Sequence, residues 1–237
     1  MKNLIYKEMK LSMHIVCFIF PLVFGIMAMI PNYPAFVAPF YALVCYPILF
    51  LGANKGQTTN DLFYTCNLPI RKRDVVKARL ISVMILQIMS LVSTAIFMPV
   101  GVIFEDAISS AAEAADAGAQ IAYLGLGAHS FIAFFGMTIL GYALSDLIFI
   151  PWFYKTGKSI VAPTLVTIIF FIVYSSLFEM VLPMSIPELA VLLDVSAGGT
   201  TGLIVQLAIL LLGIIAYVLL RMLTLGVAAK RLEMLDL

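Results

Sequence analysis

LISVMILQIMSLVSTAIFMPVGVIF, residues 80–104, contains no Asp, Glu, Lys or Arg. A helix rises about 1.5 Å per residue, so about 20 apolar residues cross a hydrocarbon core about 30 Å thick. This run exceeds that length and predicts a tilted membrane span. Its apolar residues are continuous instead of alternating in period two, which argues against a barrel strand. Arg71, Lys72, Arg73, Lys77 and Arg79 stand just before it; Glu105, Asp106, Glu113 and Asp116 follow it. One apolar run is therefore framed by a basic and an acidic flank.

The rest of the chain repeats the pattern. Of 237 residues, 63% are hydrophobic and 11% charged, too much apolar side chain for one water-soluble core. Spans are expected at about 12–30, 35–53, 80–104, 121–149, 159–182 and 202–220, giving an all-α integral membrane fold with six transmembrane helices in a single domain, 1–237. Residues 1–11 place Met1, Leu4, Ile5 and Met9 on one helical side and Asn3, Lys7 and Lys10 on another, as a short interfacial helix does. Lys2, Lys7 and Lys10 ahead of an apolar run imitate a secretory signal, but no small-residue cleavage site follows and further spans do, so the segment is read as retained. Pro31 and Pro34 turn the chain between the first two spans, and Pro39 and Pro47 bend the second. The alanine-rich acidic stretch 105–120 reads as a helix outside the bilayer.

Basic residues set the orientation, because Lys and Arg are retained on the cytoplasmic side during insertion. Lys2, Lys7 and Lys10, the six basic residues of 54–79, Lys155 and Lys158, and Arg221, Lys230 and Arg231 all fall on one side of a six-span fold. The other side holds Glu105, Asp106, Glu113, Asp116, Glu188 and Asp194. Five or seven spans would strand a basic group outside. Both termini are thus placed in the cytoplasm, with the chain in the cell membrane. The net charge of +1 carries no sign of a nucleic-acid surface.

No phosphate-cradling Gly-rich loop, HExxH pair or Gly-x-Ser-x-Gly turn is present, so no catalytic residue, metal site or cofactor is assigned to this chain. Cys17, Cys45 and Cys66 lack ligand spacing and read as small hydrophobes. His14 and His129 lie near opposite membrane faces and read as interfacial polar residues with local hydrogen bonds. Asp146 and Glu179 are the candidate pathway or switch residues. An ionised carboxylate at mid-span costs about 2.5–3.5 kcal/mol on insertion scales, so Asp146 must face protein or water. It either lines a pathway or pairs with Lys155 or Lys158; Glu179, near the outer interface, has the same two readings.

Residues 54–79 hold the most informative pattern. Asn60 or Thr59 suits a helix cap, Asp61 the first turn, and Leu62, Phe63 and Cys66 share a face before Pro69 ends the helix. The basic run Arg71, Lys72 and Arg73 follows, and Asp74 opens the next helix. An anchor on anionic lipid accounts for the basic residues but not for the aromatic helix ahead of them.

NLPIRKRDVVKARLI, residues 67–81, resembles a stretch found in permease subunits of bacterial type-2 ABC transporters, through Leu68, Pro69, Ile70, Lys72, Arg73, Asp74, Val75, Val76 and Arg79. Arg71 stands where that family usually has a Ser or Thr cap. LIYKEMKL, residues 4–11, is similar to the family's amphipathic elbow helix. The resemblance implies a coupling helix between spans two and three, with Asn60, Asp61, Leu62, Phe63, Tyr64, Cys66, Leu68, Arg71, Arg73 and Asp74 as ATPase-coupling residues. It implies two copies of a separate ABC ATPase subunit binding ATP and Mg, and a second permease subunit, in a homodimer. The enlarged acidic outer segment is similar to exporters of amphipathic peptides such as phenol-soluble modulins. The implied function is ATP-driven export of a hydrophobic or amphipathic substrate, such as a peptide. The rival readings are an ion-coupled secondary carrier and a non-transporting peptide-binding or immunity-type membrane protein.

Overall fold

The computed structural model of the chain describes residues 2–12, 14–29, 36–51, 70–114, 130–156, 160–193 and 195–234. All regular structure among them is helical. Helix α1, Lys2–Lys7, continues through a π-helical turn, Glu8–Ser12, and the chain then bends by 72° into α2, Ile15–Gly25. At that entry His14 acts as expected of a local hydrogen-bonder: its Nδ1 accepts from the Val16 N–H at 3.3 Å and caps α2. Helices α3, Val37–Val44, and α4, Tyr46–Leu51, follow; Pro39 and Pro47 fall in their first turns, where a missing N–H costs little.

Helix α5, Lys72–Ala114, is the longest element, 43 residues and about 65 Å. It runs from the basic flank through the apolar stretch into the acidic flank, so residues 105–114 continue the span and do not start a new helix. Residues 115–120 lie outside the described residues. Helix α6 is Phe131–Thr156, seven residues further along the chain at its end than the expected span, with Pro151 and Lys155 inside it. Helix α7, Val161–Ser176, passes through a second π-helical turn, Leu177–Val181, into α8, Leu182–Ser185, and then α9, Pro187–Leu193. Helix α10, Val195–Glu233, is kinked at Gly199, whose φ of 54° lies where glycine carries no Cβ penalty.

Among the described residues, four helices are long and apolar enough to cross a membrane: Lys72–Gly101, Phe131–Thr156, Val161–Glu179 and Gly199–Glu233. The bent pair Asn3–Lys10 and Ile15–Gly25 makes a fifth if counted as one span, and Val37–Phe50 is a shorter apolar helix. Apolar side chains such as Leu211, Leu212, Ile169 and Val173 are exposed on α10 and α7, as expected where hydrocarbon is the solvent. This is a multi-pass membrane protein.

Packing follows the rule for helices in lipid, where small residues let backbones approach. Helices α6 and α10 form the most extensive pair. They cross at Gly136 and Gly213, so closely that a Cβ on Gly213 would lie 2.3 Å from the Gly136 carbonyl oxygen. Helix α2 meets α5 in the same way, Gly25 lying against Ser93, whose Oγ donates to the Leu22 carbonyl at 3.2 Å. The core lies toward the basic end of the bundle, around Tyr46, Leu49, Phe50, Val83, Leu86, Phe149 and Tyr154. That end is knit together by Lys72 Nζ, which donates to the Leu232 carbonyl at 3.3 Å and joins the start of α5 to the last turn of α10.

Candidate functional site

Four helices turn five polar residues into the same point, two of them from α10. On α6, buried Tyr142, Asp146, Phe149 and Phe153 recur at three- and four-residue spacing, which places Asp146 on the inner face. On α5 the buried series Val76, Leu80, Val83, Gln87, Ser90 and Thr94 does the same for Gln87. Tyr217 and Arg221 are one turn apart on α10, and Tyr46 opens α4.

The Tyr46 hydroxyl donates to Asp146 Oδ1 at 2.6 Å and accepts from Gln87 Nε2 at 2.5 Å. Gln87 Nε2 also lies 3.1 and 3.2 Å from the two Asp146 oxygens. Its Oε1 accepts from the Tyr217 hydroxyl at 2.7 Å. Arg221 Nη1 forms an ion pair with Asp146 Oδ2 at 2.9 Å and also donates to the Tyr217 hydroxyl. Arg221 Nη2 donates to the Leu80 carbonyl. Asp146 is 1% exposed, so its charge is matched by Arg221 and hydrogen bonds and not by water. Lys155 does not take that role; it is exposed beside Trp152 and Arg231 on a groove at the basic end of the bundle. Lys158 lies outside the described residues.

A second buried pair lies nearby. Arg79, one residue before Leu80, binds Glu8 Oε2 through Nε at 2.8 Å and Nη2 at 2.7 Å, and its guanidinium lies 5.3 Å from the centre of the Phe50 ring. Residues 79, 80 and 87 of α5 therefore hold the π-helical turn after α1, the last long helix, and Asp146 of α6. Next to this network is an apolar cavity of about 160 Å³ between α5, α6 and α10, with Gln87, Tyr142 and Tyr217 in its wall. The Tyr142 hydroxyl donates to the Pro39 carbonyl at 3.1 Å, adding α3 to the same cluster.

The family model described as ABC-2 family transporter protein matches residues 3–225, nearly the whole chain. The chain belongs to the ABC-2 transporter family. No curated protein and no solved structure matches it. Membership makes this ABC-2 transporter a permease component whose partner is an ABC ATPase.

Of the residues singled out in this transporter's sequence, Asn60, Asp61, Leu62, Phe63, Tyr64, Cys66 and Leu68 lie outside the described residues. Arg71 and Arg73 are exposed at the mouth of α5, and the Arg71 carbonyl takes the Asp74 N–H at 2.8 Å, so the backbone starts the helix at the point where the family usually has a hydroxyl cap. Asp74 sits in the first turn, where the helix dipole favours it. Asp146 and Glu179 are brought to separate places. Glu8, Tyr46, Arg79, Gln87, Tyr217 and Arg221 were not among the expected site residues. The sequence places Arg221 just after the last span, but α10 continues to Glu233 and carries it inside the bundle. One signal pointed to it: an intramembrane Asp requires an opposite charge within reach.

Proposed function

We propose that this chain is the membrane-spanning subunit of an ATP-driven ABC exporter, with two copies of a separate ATPase subunit holding ATP and Mg and a second copy of the permease completing the path. The observation that carries the reading is the course of α5. It starts directly after the coupling-like stretch and within four turns holds Glu8, Arg221 and Asp146 through Arg79, Leu80 and Gln87. A push on residues 60–68 by closing ATPases would enter the bundle at that point and bias two arrangements of the Asp146–Arg221 network. The bent first segment and Val37–Phe50 serve as the first two of six crossings, with both termini cytoplasmic. Cargo is hydrophobic or amphipathic, a peptide of the phenol-soluble-modulin kind being one such class, and the apolar cavity beside Gln87 suits an apolar side chain of it.

Replacing Leu62 and Phe63 with Glu is expected to abolish ATPase co-purification and transport while the protein still inserts. Undiminished complex formation would remove the coupling role. A second reading, an ion-coupled carrier working alone, draws on the buried Asp146 and Glu179. Transport by the purified chain in vesicles without any ATPase would select it.

A further inference from the structure

Glu179 lies at the opposite end of the bundle from the basic cluster and takes no part in the Asp146 network. It sits in the π-helical turn Leu177–Val181, a wider turn of the kind often found at functional sites. The residue is 8% exposed. The Phe36 backbone N–H hydrogen-bonds its carboxyl group. The other oxygen, Oε1, is buried and has no hydrogen-bond partner among the described residues. Two neighbouring hydroxyls are engaged elsewhere, Tyr174 donating to the Met137 carbonyl at 2.9 Å and Ser175 to the Phe171 carbonyl at 2.6 Å; the Thr138 side chain also lines the pocket.

Glu179 lines a small cavity walled by Phe36, Phe134, Phe171, Tyr174 and Phe178. A buried carboxylate oxygen needs a donor or a cation. Aromatic faces attract cations through their ring quadrupoles. Among the described residues Glu179 is the one carboxylate in the wall and no cluster of three or more metal-ligating side chains occurs, so a single positive charge fits better than a divalent ion. The free space is about 10 Å³, room for one water-sized group. That admits –NH₃⁺ and excludes a trimethylammonium head.

We propose that Glu179 and its aromatic wall form a binding site for a primary ammonium group, as carried by a lysine side chain or a free amino terminus. This deepens the proposed function by naming a feature of the cargo, and it rests on that reading only for the amine's being cargo. Three probes of one chain length separate the alternatives: hexylammonium, hexyltrimethylammonium and hexanol, each titrated into the purified full chain in an uncharged detergent at neutral pH, with thermal unfolding as readout. Hexylammonium is expected to raise Tm and the other two to leave it unchanged. Glu179→Gln should weaken the hexylammonium response about 10-fold or more, the loss of one charge-assisted hydrogen bond. Phe178→Leu should weaken it less.

Equal shifts from all three probes, no shift from hexylammonium, or an undiminished response in Glu179→Gln overturns the proposal. Should Glu179→Gln fail to fold, the comparison of the three probes on the wild-type chain and on Phe178→Leu still decides it. The experiment uses no ATPase. Failure here leaves the exporter reading standing, and failure of ATPase association leaves this site standing.

Discussion

At the scale of residues, the Asp146–Arg221 pair is better explained as a device that holds a particular arrangement than as a source of stability. A fully desolvated ion pair roughly breaks even against an apolar replacement, whereas removing one partner leaves a buried charge and costs about 3–5 kcal/mol. Asp146→Asn is therefore expected to destabilise the chain by about that amount, with Arg221 left facing a neutral amide. The double replacement Asp146→Leu with Arg221→Met should recover most of the loss, because neither charge remains. Thermal or denaturant unfolding of both variants in detergent checks this; a double variant as unstable as the single one would show that the pair is a net stabiliser. Transport should fail in both, since Gln87, Tyr46 and Tyr217 lose the charged centre that orders them. Glu8–Arg79 follows the same physics closer to the basic end, and its guanidinium also rests on Phe50.

At the scale of elements, the behaviour of α5 depends on its continuity. A 43-residue helix transmits displacement along its axis, and its anchors to Glu8, Arg221 and Asp146 lie in the half nearest its start. The contact between α6 and α10 adds a close backbone approach at Gly136 and Gly213 to the Asp146–Arg221 ion pair. Gly213→Leu would place a branched side chain where even a Cβ meets the Gly136 carbonyl at 2.3 Å, so the two helices must separate. Sharply reduced folded yield and a lowered Tm are expected. Gly226→Leu, on the same helix with nothing within 4 Å of the added Cβ, should be tolerated and serves as the control. Equal behaviour of the two variants in size-exclusion chromatography would contradict the close crossing.

At the scale of the whole molecule, polarity of charge and position of the core agree. Lys72, Lys155, Lys230 and Arg231 gather at the end where α5 begins and α6 and α10 finish, while Glu179 lies at the other. Retention of basic residues during insertion predicts that the first end faces the cytoplasm. In a chain with Cys17, Cys45 and Cys66 replaced by Ala, a single Cys at Lys155 should resist a membrane-impermeant maleimide in intact cells and react after permeabilisation. A single Cys at exposed Ser185 should react in both. The reverse pattern would invert the topology.

Much of this architecture was legible from the chain. Apolar runs such as residues 80–104 announce helices in lipid because hydrocarbon offers backbone groups no other partner. The one-sided distribution of Lys and Arg is written residue by residue, and the stretch 67–81 carried the family resemblance that the match over residues 3–225 then established. His14 was readable as a local hydrogen-bonder for the same reason: its partner is two residues away. Partners distant in sequence were not legible. Asp146 could be recognised as a carboxylate in need of a charge, but Lys155 lay nearer along the chain than Arg221, and only the crossing of α6 and α10 at Gly136 and Gly213 brings Arg221 within 2.9 Å. Glu8 was given no role by the residues around it, and the 72° bend and Arg79 enclose it. Sequence by itself determined what must be in the membrane and which end is basic, because those follow from local transfer free energies. Tertiary structure decided which charges meet and which carboxylate keeps an open oxygen, because pairing depends on helix crossings that join residues 71 and 75 positions apart in the two buried ion pairs.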